Sequence, residues 1–547
     1  MHSGEPSVHF VNSVLATVVL AAFVLWRYRR AVLAGMSAGN APPLPWAAVS
    51  PAQPAATAVM TDPQAIERHA QRRLATAWLL TTALCGLPMA AVYMWAGDMG
   101  ASPTYALGLT ASYTLAALPV IVVSLALSPW RAVALLLGLV VSAMALFLLC
   151  GVVERGLSGR PLTWRILGLV PLWAQVAWNQ LWMAGLFWLL SWPTRLRGVV
   201  PVTFAALLVL GAAPFLGSQL SGWMATTEAG TPWVYRLGTD GIFLLIALPA
   251  GGLAWWRLHR LAAGYEAKRF SDAQLLARTW WLMLVVTIAG DLLSGREQPW
   301  IALGLLVGQV LLFAPVNAAM LHVLGVRQRA TTRLDARAAP TLLVLRVFGF
   351  TARTERLFDR VVSRWRLLGP VTMIAAPDVS ARTIAAGDYL RWLTGRVDEL
   401  FVTSQADLDT KLRQLDLQPD PDGRFRVNSF CCRDATWQAT VVALMERADV
   451  VAMDLRSLRR GRQGCEFELQ QLAQRIPPQR LVLVVDETTE RPLLEAAFGE
   501  RLALVHTVPM RRAWQTDEVF NALARASASQ AAQAARIGPA GPAAATP

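Results

Sequence analysis

Apolar runs of membrane length recur between short polar loops up to about Leu324, and then they stop. An α-helix rises 1.5 Å per residue, so roughly 20 apolar residues cross a hydrocarbon core about 30 Å thick. About nine runs approach that length, at 9–26, 75–96, 105–127, 132–152, 166–192, 199–217, 241–256, 279–293 and 300–324. The runs at 241–256 and 279–293 are short, and the second also fits a re-entrant segment, so eight is the alternative count.

The chain has 547 residues, 55% of them hydrophobic, and that average joins two regimes. The first, 1–330, reads as a polytopic α-helical membrane domain with a Pro/Ala-rich linker at 31–66. A basic linker at 331–340 leads to 341–526, where apolar runs shrink to strand length and charge rises. The end, 527–547, is Ala/Pro/Gly-rich without an apolar period and is expected to be an unstructured tail.

The net charge of +14 does not argue for nucleic acid, because the basic residues gather in loops between apolar runs and no nucleic-acid module is present. The first run is followed by "RYRR" and preceded by no basic segment, which places the N-terminus outside. Counting alternate loops then gives sixteen basic residues inside and five outside, three of the five in loop 153–165. An Arg-rich, Ala-rich composition with lysine only at Lys268 and Lys411 suggests a GC-rich bacterial genome. The expected setting is therefore a bacterial inner membrane, with a periplasmic N-terminus, a cytosolic C-terminal domain and the lipid bilayer as partner. The five cysteines show no zinc-ligand spacing.

From 341 the pattern alternates. Apolar strands are expected at 341–348, 371–376, in FRVNSFCC, at 449–455, at 480–486 and in RLALVHTV, with helical periodicity between them. Strands that are apolar throughout and alternate with helices indicate a parallel sheet covered on both faces. The expected fold is a doubly wound α/β domain, flavodoxin-like in general shape. Ligands of such domains bind beyond the carboxyl ends of the strands. Asp378, Asp434, Asp454 and Asp486 follow or end strands, and Arg346, Arg353, Arg433 and Arg456 lie near them in sequence. Each aspartate is either a crevice residue or a cap for the next helix or turn.

The stretch MDLRSLRRGRQGCEFELQQL, 453–472, joins a strand ending at Asp454, a loop with four arginines and a new helix. At about 100° per residue, Glu466 and Glu468 point about 200° apart and do not share a pocket. CEFEL resembles the C-x-x-E-L helix motif of TIR domains, whose Glu is catalytic in the NAD-cleaving members. The same stretch resembles nucleoside deoxyribosyltransferases, with Asp454, Gly464 and Glu468 as the counterparts of their strand Asp, loop Gly and helix Glu. Gly464 stands where TIR domains often carry Trp, and the match covers only 449–485.

Both resemblances imply a parallel α/β fold and cleavage of an N-glycosidic bond in NAD or another nucleotide or nucleoside. Glu468 would stabilise or attack an oxocarbenium-like sugar, and Asp454 would orient a ribose hydroxyl or the Glu. Arg353, Arg433 and Arg456 would meet phosphates through bidentate contacts, with Asp378, Asp434 and Asp486 also lining the crevice. The TIR resemblance further implies homo-oligomers. Three functions stay open: a membrane-tethered effector that cleaves a nucleotide, a non-enzymatic membrane sensor or scaffold with a regulatory α/β domain, and a transporter with such a domain.

Overall fold

The computed structural model describes residues 26–37, 43–45, 63–96, 103–114, 117–125, 231–295, 299–326, 339–346, 352–375, 386–510 and 515–537, with scattered helical residues at 23–24 and between 133 and 224. The first helices are α1 (Pro63–Ala96), α2 (Pro103–Thr114), α3 (Leu118–Ser124), α4 (Thr231–Glu266), α5 (Asp272–Gly295) and α6 (Pro299–Val323).

The expected count of about nine spans is corrected to two. Among the described residues, the helices long and apolar enough to cross a membrane are Pro63–Val92 and Asp240–Glu266, and Val307–Val323 is a shorter apolar helix. The physical reason is that hydropathy scores lipid-facing and interior-packed residues alike. Trp280, Trp281 and Val285 of α5 pack in one core with Trp78 and Met89 of α1, Tyr113 of α2, Ile121 of α3 and Phe313 of α6. The run at 105–127 is broken into α2 and α3, the second starting beside Pro119. Run 166–192 lies outside the described residues, as do most of 9–26 and 199–217 and about half of 132–152. Side-chain amides stitch the bundle: Gln274 donates to Asn317 Oδ1 at 3.1 Å, Asn317 donates to Thr81 Oγ1 at 3.3 Å, and Trp281 Nε1 donates to Gln309 Oε1 at 3.3 Å.

The remaining strands are β1 (Leu342–Arg346), β2 (Val371–Ala375), β3 (Phe401–Val402), β4 (Val427–Cys432), β5 (Val450–Asp454), β6 (Leu481–Val485) and β7 (His506–Pro509). They form one sheet in the order β3-β4-β2-β1-β5-β6-β7, and every pairing is parallel. The intervening helices are α7 (Ala352–Trp365), α8 (Ala386–Leu393), α9 (Gln405–Arg413), α10 (Trp437–Arg447), α11 (Gln463–Arg475), α12 (Arg491–Phe498) and α13 (Thr516–Ile537).

Side chains alternate faces along a strand. Leu343, Leu345, Val451, Met453, Leu481 and Leu483 pack beneath α10, α11 and α12. Their neighbours Leu342, Val344, Val450, Ala452, Val482 and Val484 pack against α7 and α13. Both faces are covered, which is why the central strands β1, β5 and β6 are apolar except for Arg346 and Asp454 at their carboxyl ends. Strand β3 falls where helical periodicity was expected to run on to Phe401, and α13 continues past Ser527 to Ile537, into the segment expected to be tail.

Loop α7–β2 turns tightly. The indole Nε1 of Trp365 donates to Pro340 O at 3.2 Å, and a Cβ on Gly369 would lie 2.1 Å from that same oxygen. Only a residue without Cβ fits. Gly369→Ala is expected to destabilise the α/β domain by about 1–3 kcal/mol, read as a lower thermal midpoint, whereas Gly387→Ala, whose Cβ would meet Tyr265 Cε1 at an ordinary 3.5 Å, is tolerated.

Candidate functional site

After β1 the chain moves to β2 on one side, and after β4 it crosses to β5 on the other. The connections beyond β1 and β5 therefore diverge, and this is the switch point where α/β sheets leave a crevice. The two strands end level, with Arg346 paired to Asp454.

Asp454 is 2% exposed and is gripped by Arg456. Nε of Arg456 donates to Oδ1 at 2.8 Å, Nη2 donates to Oδ2 at 2.7 Å, and the Arg456 amide donates to Oδ1 at 3.1 Å. Nη1 reaches Met510 Sδ at 3.5 Å, beyond the end of β7. Both carboxylate oxygens are thus occupied from within the chain, and the guanidinium proposed for a phosphate is used to hold Asp454.

The arginine loop is fastened rather than loose. Ser457 has a left-handed backbone (φ 67°), and its amide donates to Thr488 Oγ1 at 3.0 Å. The Arg460 amide donates to Glu490 Oε2 at 3.1 Å, and the Gly461 amide to Glu466 Oε1 at 2.8 Å. Glu466 therefore ties the arginine loop to the first turns of its own helix. Glu468 faces the other way, 4% exposed among Cys465, Leu469 and Leu472 on the sheet-facing stripe of α11.

The remaining residues separate. Asp486 accepts from the Thr488 amide at 2.9 Å and Thr488 Oγ1 at 2.6 Å, so it shapes the turn after β6. Asp434 is exposed in the turn after β4. Beside it the Arg433 amide donates to Thr436 Oγ1 at 3.1 Å, and Arg433 Nε is buried with no hydrogen bond among the described residues. Arg353 lies in the first turn of α7, while Asp378 and the segments 347–351 and 376–385 lie outside the described residues. The structure thus brings Asp454, Arg456 and the start of Glu468's helix to one edge, with Arg433 beyond β2 and β4 along it. Among the described residues, no group of three His, Cys, Asp or Glu side chains converges as a metal site.

The opposite edge carries a second constellation, which the sequence reading missed. Arg364, at the end of α7, pairs with Glu67 of α1 through Nε–Oε1 at 2.6 Å and Nη2–Oε2 at 2.8 Å, and with Asp517 of α13 at 2.5 Å. In the turn before β4, Arg424 binds Asp422 (2.7 Å), Asp272 at the start of α5 (2.7 Å) and the Ser124 carbonyl (3.2 Å). Arg426 holds Asp420 at 2.8 Å, donates to the Tyr265 carbonyl at 2.8 Å and stacks 3.9 Å over the Tyr265 ring. Lys268 pairs with Asp416, and Arg391 and Arg396 both reach Glu266. Each sheet-domain arginine here lies at the end of a helix or just before a strand, which is the amino edge of the sheet. The legible signal was the turn PDPDGRFR, two acids followed by two arginines.

Burial in this junction works against ionisation of Asp272, but Arg424 and Arg366 outweigh it and hold its carboxyl at about 2. Burial pushes Asp420 the other way, to about 6, despite Arg426.

No protein-family model, no curated protein and no solved structure matches this chain.

Two outcomes follow from the junction. Asp272→Asn leaves Arg424 and Arg366 short of a buried counter-charge and is expected to cost about 3–5 kcal/mol in denaturant unfolding. Asp420 binds its proton more tightly folded than unfolded, so its ionisation removes stability as pH rises from the ordinary carboxylate range through about 6. Asp420→Asn is expected to flatten the pH dependence of the thermal midpoint in that window; an unchanged slope would refute the assignment.

Proposed function

We propose that the chain is an integral membrane protein whose α/β domain is a regulatory module that binds a nucleotide-type ligand and passes that state to the helices. The observation that carries this reading is the division of labour between edges. The switch-point crevice, with Asp454, Arg456 and Glu468, lies at the carboxyl edge, and the ion-paired junction with α1, α4 and α5 lies at the amino edge. Strands of five residues separate the two by roughly 15 Å.

Membrane insertion is supported by the distribution of exposed apolar side chains. Among the described residues, every exposed large hydrophobic lies between Phe23 and Val323, except Leu504. The helix Asp240–Glu266 buries only 17% of its apolar window. A water-soluble surface rarely presents contiguous apolar area of that kind. Arg27, Arg29, Arg30, Arg257 and Arg260 follow the exposed Trp residues on the side of the α/β domain, which favours a cytosolic position for that domain.

The second reading is N-glycoside cleavage, with Glu468 as the carboxylate beneath the sugar. Its position in the second turn of the helix leaving β5, turned toward the sheet, favours it. It ranks second because Asp454 would have to release Arg456 before it could orient a ribose hydroxyl.

The full chain in nanodiscs separates the two. Titration with NAD and with nucleosides is followed by thermal midpoint and by release of free base, for wild type and Glu468→Gln. A midpoint shift without product supports the regulatory reading. Base release that falls about 10²–10³-fold in the variant supports cleavage. Absence of both a shift and product with every nucleotide tried overturns the nucleotide reading.

A further inference from the structure

The end of α4 is ordered by depth. Leu244, Leu245, Leu248 and Leu253 are exposed and apolar, Trp255 and Trp256 follow, then Arg257 and Arg260, and then Tyr265 and Glu266, which dock on the α/β domain. The guanidinium groups of Arg257 and Arg260 lie 5.3 Å and 5.0 Å from the Trp256 ring. His259 accompanies them, its ring 4.9 Å from that of Trp255.

The N-terminal helix at 26–37 repeats the order. Phe23 and Trp26 are exposed, and Arg30 lies 5.7 Å from the Trp26 ring. Tyr28 of this helix and Ala262 and Tyr265 of α4 share one buried cluster with Tyr389 and Phe401 of the α/β domain. That cluster packs both helices against the same part of the α/β domain, each with its Trp–Arg pair on the side leading to its apolar exposed residues. Among the described residues, Arg30, Arg257 and Arg260 form no ion pair, whereas the nearest acid on α4, Glu266, is taken by Arg391 and Arg396.

We propose that Trp26, Arg30, Trp255, Trp256, Arg257 and Arg260 form one collar that binds the headgroups of anionic phospholipid. The inference rests on the reading that α4 crosses a bilayer. Trp rings settle at the boundary between hydrocarbon and headgroup, and a guanidinium over such a ring meets phosphate at that depth. The collar lies about one to three helical turns from the junction, so the lipid it holds sits against the face on which the α/β domain docks.

The test uses the full chain in nanodiscs of phosphatidylcholine alone or mixed with phosphatidylglycerol, and in detergent with added glycerol phosphate. Retained lipid is counted by native mass spectrometry, and the thermal midpoint is followed in parallel. Phosphatidylglycerol is expected to be retained over phosphatidylcholine and to raise the midpoint. The variant R30Q/R257Q/R260Q should lose this preference, about fivefold per arginine, and R30K/R257K/R260K should keep most of it. Equal retention of both lipids in wild type, or an unchanged preference in the glutamine variant, overturns the collar. An equal midpoint shift with glycerol phosphate also overturns it, because the site would then take a free phosphate. Release of wild type from vesicles by alkaline carbonate refutes the membrane reading itself; retention without lipid preference refutes the collar alone.

Discussion

All seven strands run the same way, and this constraint organises everything else in the α/β domain. A parallel sheet cannot be closed by short hairpins; each connection must return across a face, usually as a helix. Strand ends and helix starts therefore collect at one edge, and helix ends and strand starts at the other. The first edge offers backbone donors and side chains from separate loops, which suits a ligand. The second is available for attachment, and here it is occupied by the helical region.

That attachment joins an apolar cluster around Tyr265 and Tyr389 to a set of ion pairs that are largely dry. Asp422 and Arg424 are almost completely buried, and Asp272 is nearly so. Buried ion pairs give little net stability compared with apolar packing of the same volume, because desolvation consumes most of the Coulomb gain. They are nevertheless directional: an arginine fork satisfied by two carboxylates and a carbonyl tolerates few alternative orientations. The junction is better understood as setting where the domain sits than as adding to how firmly it folds. The same logic applies to Asp454 and Arg456, where the pair fixes the mouth of the loop after β5.

Much of the α/β domain was legible because its strands are short, uninterrupted apolar runs with helical stretches between them. VVAMD and LVLVV are buried at every position. Strand β3 was not, since two residues give no period and the preceding DEL reads as the end of a helix. The helical region was misjudged in number, because apolar residues such as Trp281 and Phe313 stack on each other inside the bundle and score as though they faced lipid. At the site, the separation of Glu466 from Glu468 followed from helical geometry alone. That Asp486 serves its own turn, and that Arg456 folds back onto Asp454, depended on contacts between neighbouring loops that no linear pattern records. The junction was hidden for a related reason: Glu67 and Arg364, or Asp272 and Arg424, are far apart in the chain and meet only through the fold.

Helix α1 is a single element of 34 residues, about 50 Å from end to end, with Glu67 in its second turn held by Arg364. Its other end carries Leu84, Leu87 and Trp95 on exposed positions. Held at Glu67 and packed through Trp78 and Met89 against its neighbours, the rod carries the bundle with it when it tilts. A tilt of roughly 5° at the grip would carry the far end sideways by about 4 Å, comparable to the width of a methyl group, given the 1.5 Å rise per residue. Adjustments in the sheet too small to be noticed locally would thus be amplified toward the opposite tip, beyond Pro88.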